Sequence, residues 1–358
     1  MKNNILSLLA VALLLSTTSC TIDVREDNDQ PVNSGGGTST TGSILDGTGN
    51  LGGEISKDLL IKKGNYTLTG IVKVQPNVTL TIEPGANFTA STSDVSGLVI
   101  LKGGKINAVG TADQPIVFTS DKKTPGDWGG ITVYGNAPIK AVNGATTALS
   151  EDGNNQYYGG DDANSNSGIM KFVRVEYGGR KIGDGSSETN SMTFYAVGAG
   201  TTLENLVSYK GTDDGFEFFG GTVSAKNMVS YGNYDDAFDW QDSWSGQFNS
   251  NWFAYQTQVG NFGMEIESSS NVDNTPPKIS NITLIREAGT NPESAGSNEI
   301  SAIQFKKQGT GIFSNVFIDG YKNIGTQKAY AILIQDAGTE TSQLVPGKIK
   351  VNPIFATA

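Results

Sequence analysis

The sequence predicts an all-β fold, a parallel β-helix (β-solenoid) with inserted loops, and three observations support this prediction. A 22-residue pattern is written twice in succession between residues 203 and 248. Asn stands before an apolar run at five positions that share one phase. The 358 residues include 46 glycines and only 17% charged residues, and short β-branched and aromatic runs show no helical periodicity. Together these features are typical of stacked rungs in a solenoid.

The tandem repeat defines the expected register between neighbouring rungs. Three motifs of the first copy have counterparts 22 residues later. The pairs are Val207-Ser208-Tyr209 with Val229-Ser230-Tyr231, Asp213-Asp214 with Asp235-Asp236, and Phe216-Glu217-Phe218 with Phe238-Asp239-Trp240. Because each rung of a solenoid lies on the one before it, residues 216–218, 238–240 and 264–266 are expected to form adjacent parallel strands.

A column of asparagines extends this register beyond the two copies. Its members are Asn205, Asn227, Asn251, Asn281 and Asn315, at spacings of 22, 24, 30 and 34 residues. Unequal spacing with a constant anchor is expected when loops of different length are inserted between stacked strands. Asn is also common in turns, but five instances in phase favour a buried ladder of side-chain hydrogen bonds.

Short alternating strands also fill the chain from about residue 59, each bounded by Gly, Pro or Asn. A β-sandwich would give similar strands, but the repeat and the Asn column favour a solenoid over residues 46–345, followed by a cap or tail at 346–358. Polar segments at 141–168, 186–190 and 287–298 interrupt the rungs. Such insertions leave solenoids as loops, often on the binding face.

The N-terminus predicts export and lipidation. Residues 1–19 combine an early Lys2 with a short apolar run, as in a secretory signal peptide. Cys20, the single cysteine, follows small residues and resembles the lipidated cysteine of bacterial lipoproteins, although Thr17 stands where that motif has Leu. The alternative is an ordinary signal peptide with an unmodified cysteine. Residues 20–45 are acidic and then Ser/Gly-rich, which predicts a flexible tether.

Several segments resemble a known family. They are VTLTIEPGANF, LVILKGGKINAVGTADQPIVFTS, PGDWGGITVYGNAPI, VRVEYGG and DDGFEFFGGTVSAKNMVSY. They are similar to Bacteroidetes surface lipoproteins that form single-stranded right-handed parallel β-helices with pectate-lyase-like architecture. The resemblance runs from about residue 50 to about 335. It implies the fold and an outer-membrane location facing the cell exterior, with membrane contact only through the lipid anchor, and it implies little chemistry.

Composition excludes several kinds of site. The chain has no histidine, so Ser-His-Asp and Cys-His nucleophiles and His-ligated zinc are excluded. The net charge of −11 argues against nucleic acid and anionic membrane surfaces as partners, because both would be repelled. A cation is the more natural small partner.

The acidic residues of the repeat form the candidate site. Strand alternation places Glu217, Asp239 and Glu265 in one outward column, flanked by Thr193 and Gln304. Neighbours about 4.8 Å apart would repel by about 3 kcal/mol at an effective dielectric constant near 20. The column is interpreted either as a cation or ligand site or as solvated surface.

Asp214 and Asp236 lie at the turns that enter the same strands. Carboxylates near turn carbonyls suit a hard cation, so Asp214, Glu217, Asp236, Asp239 and Glu265 are the candidate Ca²⁺ ligands and also candidate catalytic carboxylates. The preceding Asp213 and Asp235 are instead expected to cap their turns by hydrogen bonding to the backbone.

Three classes of function fit this sequence. The first is capture of an extracellular glycan or other nutrient, or adhesion. The second is a polysaccharide lyase or glycoside hydrolase, in which Lys306 or Arg286 would supply a basic group. The third is a structural surface spacer. The periodic acidic repeat favours capture, because an active site needs an asymmetric set of unlike groups.

Aromatic residues could provide stacking surfaces for sugars in the capture interpretation. Tyr234, Trp244, Trp252 and Phe219 are the candidates, and Trp252 is the one expected to belong to the core.

Overall fold

The computed structural model describes residues 43–182, 187–293 and 300–357. The expected signal peptide, Cys20 and nearly all of the tether lie outside these residues. Two strands, β1 (Ser43–Ile55) and β2 (Leu59–Val74), open the stack by pairing in parallel along most of their length. Three segments of β2 each pair with a different later strand: residues 59–61, 65–68 and 71–74. One rung therefore contributes to three faces.

The site face continues from β2 through eight short strands. They are β5 (Gly97–Ile100), β8 (Ile131–Tyr134), β14 (Met192–Tyr195), β16 (Phe216–Phe219), β18 (Phe238–Gln241), β20 (Met264–Ile266), β22 (Ile303–Phe305) and β24 (Ile332–Ile334). Each pairs in parallel with the next. The register joins Glu217 to Asp239 and Asp239 to Glu265. The expected adjacent parallel strands are confirmed, and a β-sandwich is excluded over this part of the chain.

The other two faces are built largely from strands that turn a corner. These strands are β11 (Gly168–Glu176), β15 (Thr202–Tyr209), β17 (Ala225–Tyr231), β19 (Asn249–Gln256), β21 (Lys278–Arg286) and β23 (Gly311–Asp319). Shorter strands complete the second face, namely β3 (Thr79–Ile82), β6 (Lys105–Val109) and β25 (Ile349–Val351), and the third face, namely β4 (Asn87–Ala90), β7 (Ile116–Ser120) and β26 (Ile354–Ala356). The chain thus folds as a parallel β-helix.

The Asn column marks the corner between these two faces. All five asparagines have positive φ angles, between 56° and 60°. From Asn227 onward, the Nδ2 of each of the four donates to the Oδ1 of the Asn one rung earlier, at 2.9, 2.7, 2.8 and 2.8 Å. The ladder is therefore confirmed, but it is not buried: Asn205 and Asn227 are half-buried, and the other three are exposed. It lies outside the helix because the left-handed backbone turns these side chains away from the core.

We expect Asn227→Leu to destabilise the protein by about 2 kcal/mol, because it removes two ladder hydrogen bonds and forces a branched residue into the left-handed region. Asn227→Gly should cost about half as much, since glycine adopts that backbone without strain. Urea unfolding midpoints would measure both changes. Equal losses would mean that the backbone conformation contributes nothing.

Inward-facing aromatics form the core beneath the site face. Phe216, Phe218, Phe238, Trp240 and Trp252 are all buried, with ring centroids of neighbours 4.6 to 6.3 Å apart. This continuous stack fixes the strands whose alternate side chains point outward.

The C-terminal residues extend the helix further than the sequence suggests. The segment expected to form a cap or tail from residue 346 supplies β25 and β26, which pair in parallel with β23. Before them lie the short helix α1 (Ala337–Thr339) and a π-helical turn (Glu340–Leu344). No helix in the described part of the chain has the length and hydropathy needed to cross a bilayer.

Candidate functional site

The acidic column occupies the outward side of the site face. Thr193, Glu217, Asp239, Glu265 and Gln304 lie in register on five successive strands. The side chains on either side of them in sequence point into the core. The sequence-predicted order of the column, including both flanking residues, is therefore what the structure shows.

This column is not solvated surface. Glu217 is 4% exposed and Asp239 8% exposed, while Glu265 is half-buried. The turn residues Asp214 and Asp236 are also buried. The carboxylates therefore cannot spread into water, so the interpretation of this column as solvated surface is wrong.

The insertions explain this burial, because all three border the column. The first contains a 3₁₀ turn (Val142–Gly144) and the hairpin of β9 (Ala148–Leu149) and β10 (Tyr157–Tyr158). The second contains β13 (Ser187–Glu188), which forms a hairpin with β12 (Lys181–Ile182) ahead of it. Lys181 Nζ lies 3.0 Å from carboxylate oxygens of both Glu188 and Glu293, and so joins the second insertion to the third. At the base of the second insertion, Asn190 Nδ2 donates to Glu217. Glu293 N donates to Asn261 Oδ1 at 2.9 Å.

Asp214 and Asp236 hold the turns of successive rungs together. Asp214 Oδ1 accepts from Asp236 N at 2.9 Å, and Asp236 Oδ1 accepts from Phe262 N at 2.7 Å. Asp214 and Asp236, the second aspartate of each pair, thus accept backbone hydrogen bonds from the next rung. The reason is that each second aspartate lies directly below the backbone of the next rung.

Seven carboxylates form what we call the acidic cluster. They are Asp213, Asp214, Glu217, Asp235, Asp236, Asp239 and Glu265. They make three overlapping triads whose oxygens lie within 4.8 Å of one another: 213/214/235, 214/217/239 and 236/239/265. All five residues predicted as metal ligands are among them.

Two buried oxygens in this region lack a hydrogen-bond partner among the described residues. They are Asp239 Oδ1, in the centre of the acidic cluster, and Gln304 Oε1, beside Glu265 in the column. An unsatisfied buried oxygen costs about 1–3 kcal/mol unless something binds it. Carboxylate and amide oxygens are the donors that Ca²⁺ prefers, so the residues present fit such an ion.

Burial raises the pKa of Asp214, Glu217 and Asp239 well above the usual carboxyl range, and neighbouring carboxylates raise it further. The same causes act on Asp213 and Asp236. After burial, the main influences on Asp214 and Glu217 are other carboxylates. Burial and mutual repulsion therefore favour the protonated forms of these carboxyls more than in exposed Asp and Glu.

The first insertion adds a further carboxyl at the rim. Glu151 keeps substantial contact with solvent, but protein atoms crowd its carboxyl group. This burial, followed by the charges of Asp242 and Asp152, raises the pKa of Glu151 to about 7. Glu151 in turn raises the pKa of Glu217, so the charge of the insertion reaches the column.

A cavity of about 260 Å³ opens on the same face. Its floor includes Thr132, which pairs with Thr193, the neighbour of Glu217. Asp152 from the first insertion and Thr189 from the second also line it, together with Arg180. A small ligand in this cavity would lie one or two rungs from the acidic cluster.

The profile of a family described as "Pectate-lyase like beta helix domain" matches residues 53–357. The chain belongs to this family. No curated protein and no solved structure matches. Membership agrees with the parallel β-helix seen here and is consistent with a role connected with polysaccharides.

In this pectate-lyase-like β-helix, Lys306 is the basic residue at the acidic cluster. Its Nζ contacts Glu265 and lies 3.7 Å from Glu267, while Lys307 Nζ lies 2.8 Å from Glu267. Burial lowers the pKa of Lys306, but the attraction of Glu265 and Asp239 outweighs burial and leaves the pKa above its ordinary value. Lys306 is therefore protonated at neutral pH and unsuited to act as a base.

Arg286, the other basic candidate, lies elsewhere in the pectate-lyase-like β-helix. It donates to Gln256 Oε1 at 3.2 Å and to Asn261 O at 2.9 Å, and its guanidinium lies 5.9 Å from the Tyr321 ring centre. These contacts give it a structural role.

Three of the four aromatic candidates do not form a stacking surface for sugars. Trp244, Trp252 and Phe219 are between 1% and 2% exposed, and only Tyr234 is half-buried. Trp252 belongs to the core, as expected. Phe219 points outward but is covered, because Tyr158 of the first insertion packs edge-on against its ring at 5.9 Å.

Proposed function

We propose that this protein captures a carboxylate-bearing glycan outside the cell, with a divalent cation such as Ca²⁺ held by the acidic cluster. The observation that carries the proposal is the triad of Asp214, Glu217 and Asp239, which is buried and offers oxygens within 4.8 Å of one another. The cation would neutralise this triad and leave coordination positions for ligand oxygens, since Ca²⁺ takes six to eight.

The neighbouring cavity supports an anionic ligand. A glycan carboxylate would be repelled by the acidic cluster alone, but a bound cation and Arg180 offer two positive charges on the same face. Thr132 and Asn154 line the cavity and supply hydrogen-bonding groups of the kind that recognise hydroxyls. The predicted signal peptide and Cys20 support placing this site on the outer-membrane surface.

Capture is favoured over cleavage by the charge of Lys306. A lyase would need a neutral base beside the substrate, and this amine is held protonated by Glu265.

Calorimetric titration with acid oligosaccharides would test the proposal. We expect binding in Ca²⁺, none in EDTA, and none for the same oligosaccharides after their carboxylates are reduced to alcohols. Arg180→Met should weaken binding about tenfold, because one charge-assisted contact is lost. Arg174→Met is the matched control, since Arg174 pairs with Glu176 on another face. Calcium-independent binding would contradict the proposed site, and release of new reducing ends would show an enzyme instead.

A further inference from the structure

We infer that Lys306 acts as a permanent internal cation that fills one end of the acidic cluster, so that a single divalent cation binds, at the 214/217/239 triad. This inference rests on the proposed cation binding and adds where the ion lies and how many ions the cluster accepts. Lys306 would thus be the residue that determines the specificity of the site.

The triads differ in how their charge is compensated. In the 236/239/265 triad, the Lys306 ammonium contacts Glu265 directly, and Lys306 is only partly accessible, with 19% of its side chain exposed. In the 214/217/239 triad the hydrogen-bonding neighbours are neutral: Asn190 and Gln241 donate to Glu217. A divalent ion at the first of these triads would lie beside a fixed positive charge and be repelled by it.

Two buried oxygens support a ligand at this cluster. Asp239 is more than nine-tenths buried and belongs to both triads, and its Oδ1 has no hydrogen-bond partner among the described residues. Gln304 is 4% exposed and lies next to Glu265 in the column, and its Oε1 is likewise unpartnered within the described ranges. Lys306 therefore compensates Glu265 but leaves oxygens that an ion could bind.

Removing the charge of Lys306 should open the second triad. Asp239 would then bridge two ions, with Asp214 and Glu217 on one side and Asp236 and Glu265 on the other. Gln304 could add a neutral oxygen to the second ion. The expected change is a rise from one bound cation to two.

Equilibrium dialysis with Ca²⁺ alone, followed by metal analysis, would count the ions. We expect one per wild-type chain, two for Lys306→Met, two for Lys306→Gln, and one for Lys307→Met. Lys307 is the matched control because it pairs with Glu267 but does not contact the triad. Lys306→Gln keeps a hydrogen-bond donor without the charge, so it still tests the inference should Lys306→Met fail to fold.

The outcomes separate this inference from the proposed function. One ion in the wild type and one in both Lys306 variants would overturn the inference and leave cation binding intact. Two ions in the wild type would also overturn it. No ion in the wild type would overturn the proposed function itself.

Discussion

In EDTA the protein should lose thermal stability as pH rises above about 4, the pKa of carboxyls in an unfolded chain, and Ca²⁺ should restore it. Burial and neighbouring carboxylates raise the pKa of Asp214, Glu217 and Asp239 in the folded protein. Between their unfolded and folded pKa values, the folded state binds more protons than the unfolded state. The free energy of unfolding therefore falls as pH rises through this interval.

The chain offers a clear window for this measurement, because it contains no histidine to titrate between these pH values. One pair of unscreened neighbouring charges costs about 3 kcal/mol at an effective dielectric constant near 20, which corresponds to a melting-temperature loss of roughly 5 °C or more. Differential scanning calorimetry in EDTA and in Ca²⁺ would measure it.

The double variant Glu217→Gln, Asp239→Asn provides the control. It keeps the shape of both side chains and removes two charges from the acidic cluster. We expect it to be more stable than the wild type in EDTA at the higher pH, and to show no shift with Ca²⁺. If Ca²⁺ raised the melting temperature of both proteins equally, the ion would bind elsewhere. If the melting temperature of the wild type did not change with pH in EDTA, the carboxyls of the column would have the same pKa in the folded and unfolded states.

The second large effect is expected in the core. Trp252→Ala should destabilise the protein by about 3–5 kcal/mol, because it leaves a cavity among packed rings. Trp252 is 1% exposed, its indole N–H donates to Ala225 O at 3.0 Å, and its ring lies 4.6 Å from that of Phe238.

Phe248→Ala is the matched control for this prediction. Phe248 is also aromatic but is 77% exposed, so its loss should change the free energy of unfolding by less than about 0.5 kcal/mol. Urea unfolding of both variants would provide the comparison. A small loss for Trp252→Ala would mean that the core closes around the missing ring. Because Trp252 packs against the strand that carries Asp239, we also expect weaker Ca²⁺ binding in this variant.

The sequence predicted the order of the rungs because its periodicities are local. A repeat of 22 residues and an in-phase Asn column determine which residues are neighbours across the stack, and alternation separates inward Phe216 and Phe218 from outward Glu217. The same rules placed Thr193 and Gln304 at the ends of the acidic column.

The burial of the acidic column could not be predicted from local periodicity. It depends on insertions with no periodicity, such as 141–168, whose contacts reach distant parts of the chain. Phe219 was misassigned as a stacking surface for this reason, since Tyr158 covers it only after the chain has folded back. The pairing of Lys306 with Glu265, 41 residues apart, likewise has no local signal.

The first insertion contacts residues that are distant in sequence, and these contacts affect the order of folding. Rungs contact neighbours that are a few tens of residues away, so each can form as soon as the next segment of chain is available. The insertion is also tied to later rungs, by Tyr158 with Asp242, 84 residues apart, and by Ala141 with Asn271, 130 residues apart. In a chain that folds from its N-terminus, these two contacts form only after the segments that carry Asp242 and Asn271 have joined the stack. Until then the insertion is not fastened to the later rungs, and a cation can reach the carboxylates without any opening motion of the finished protein.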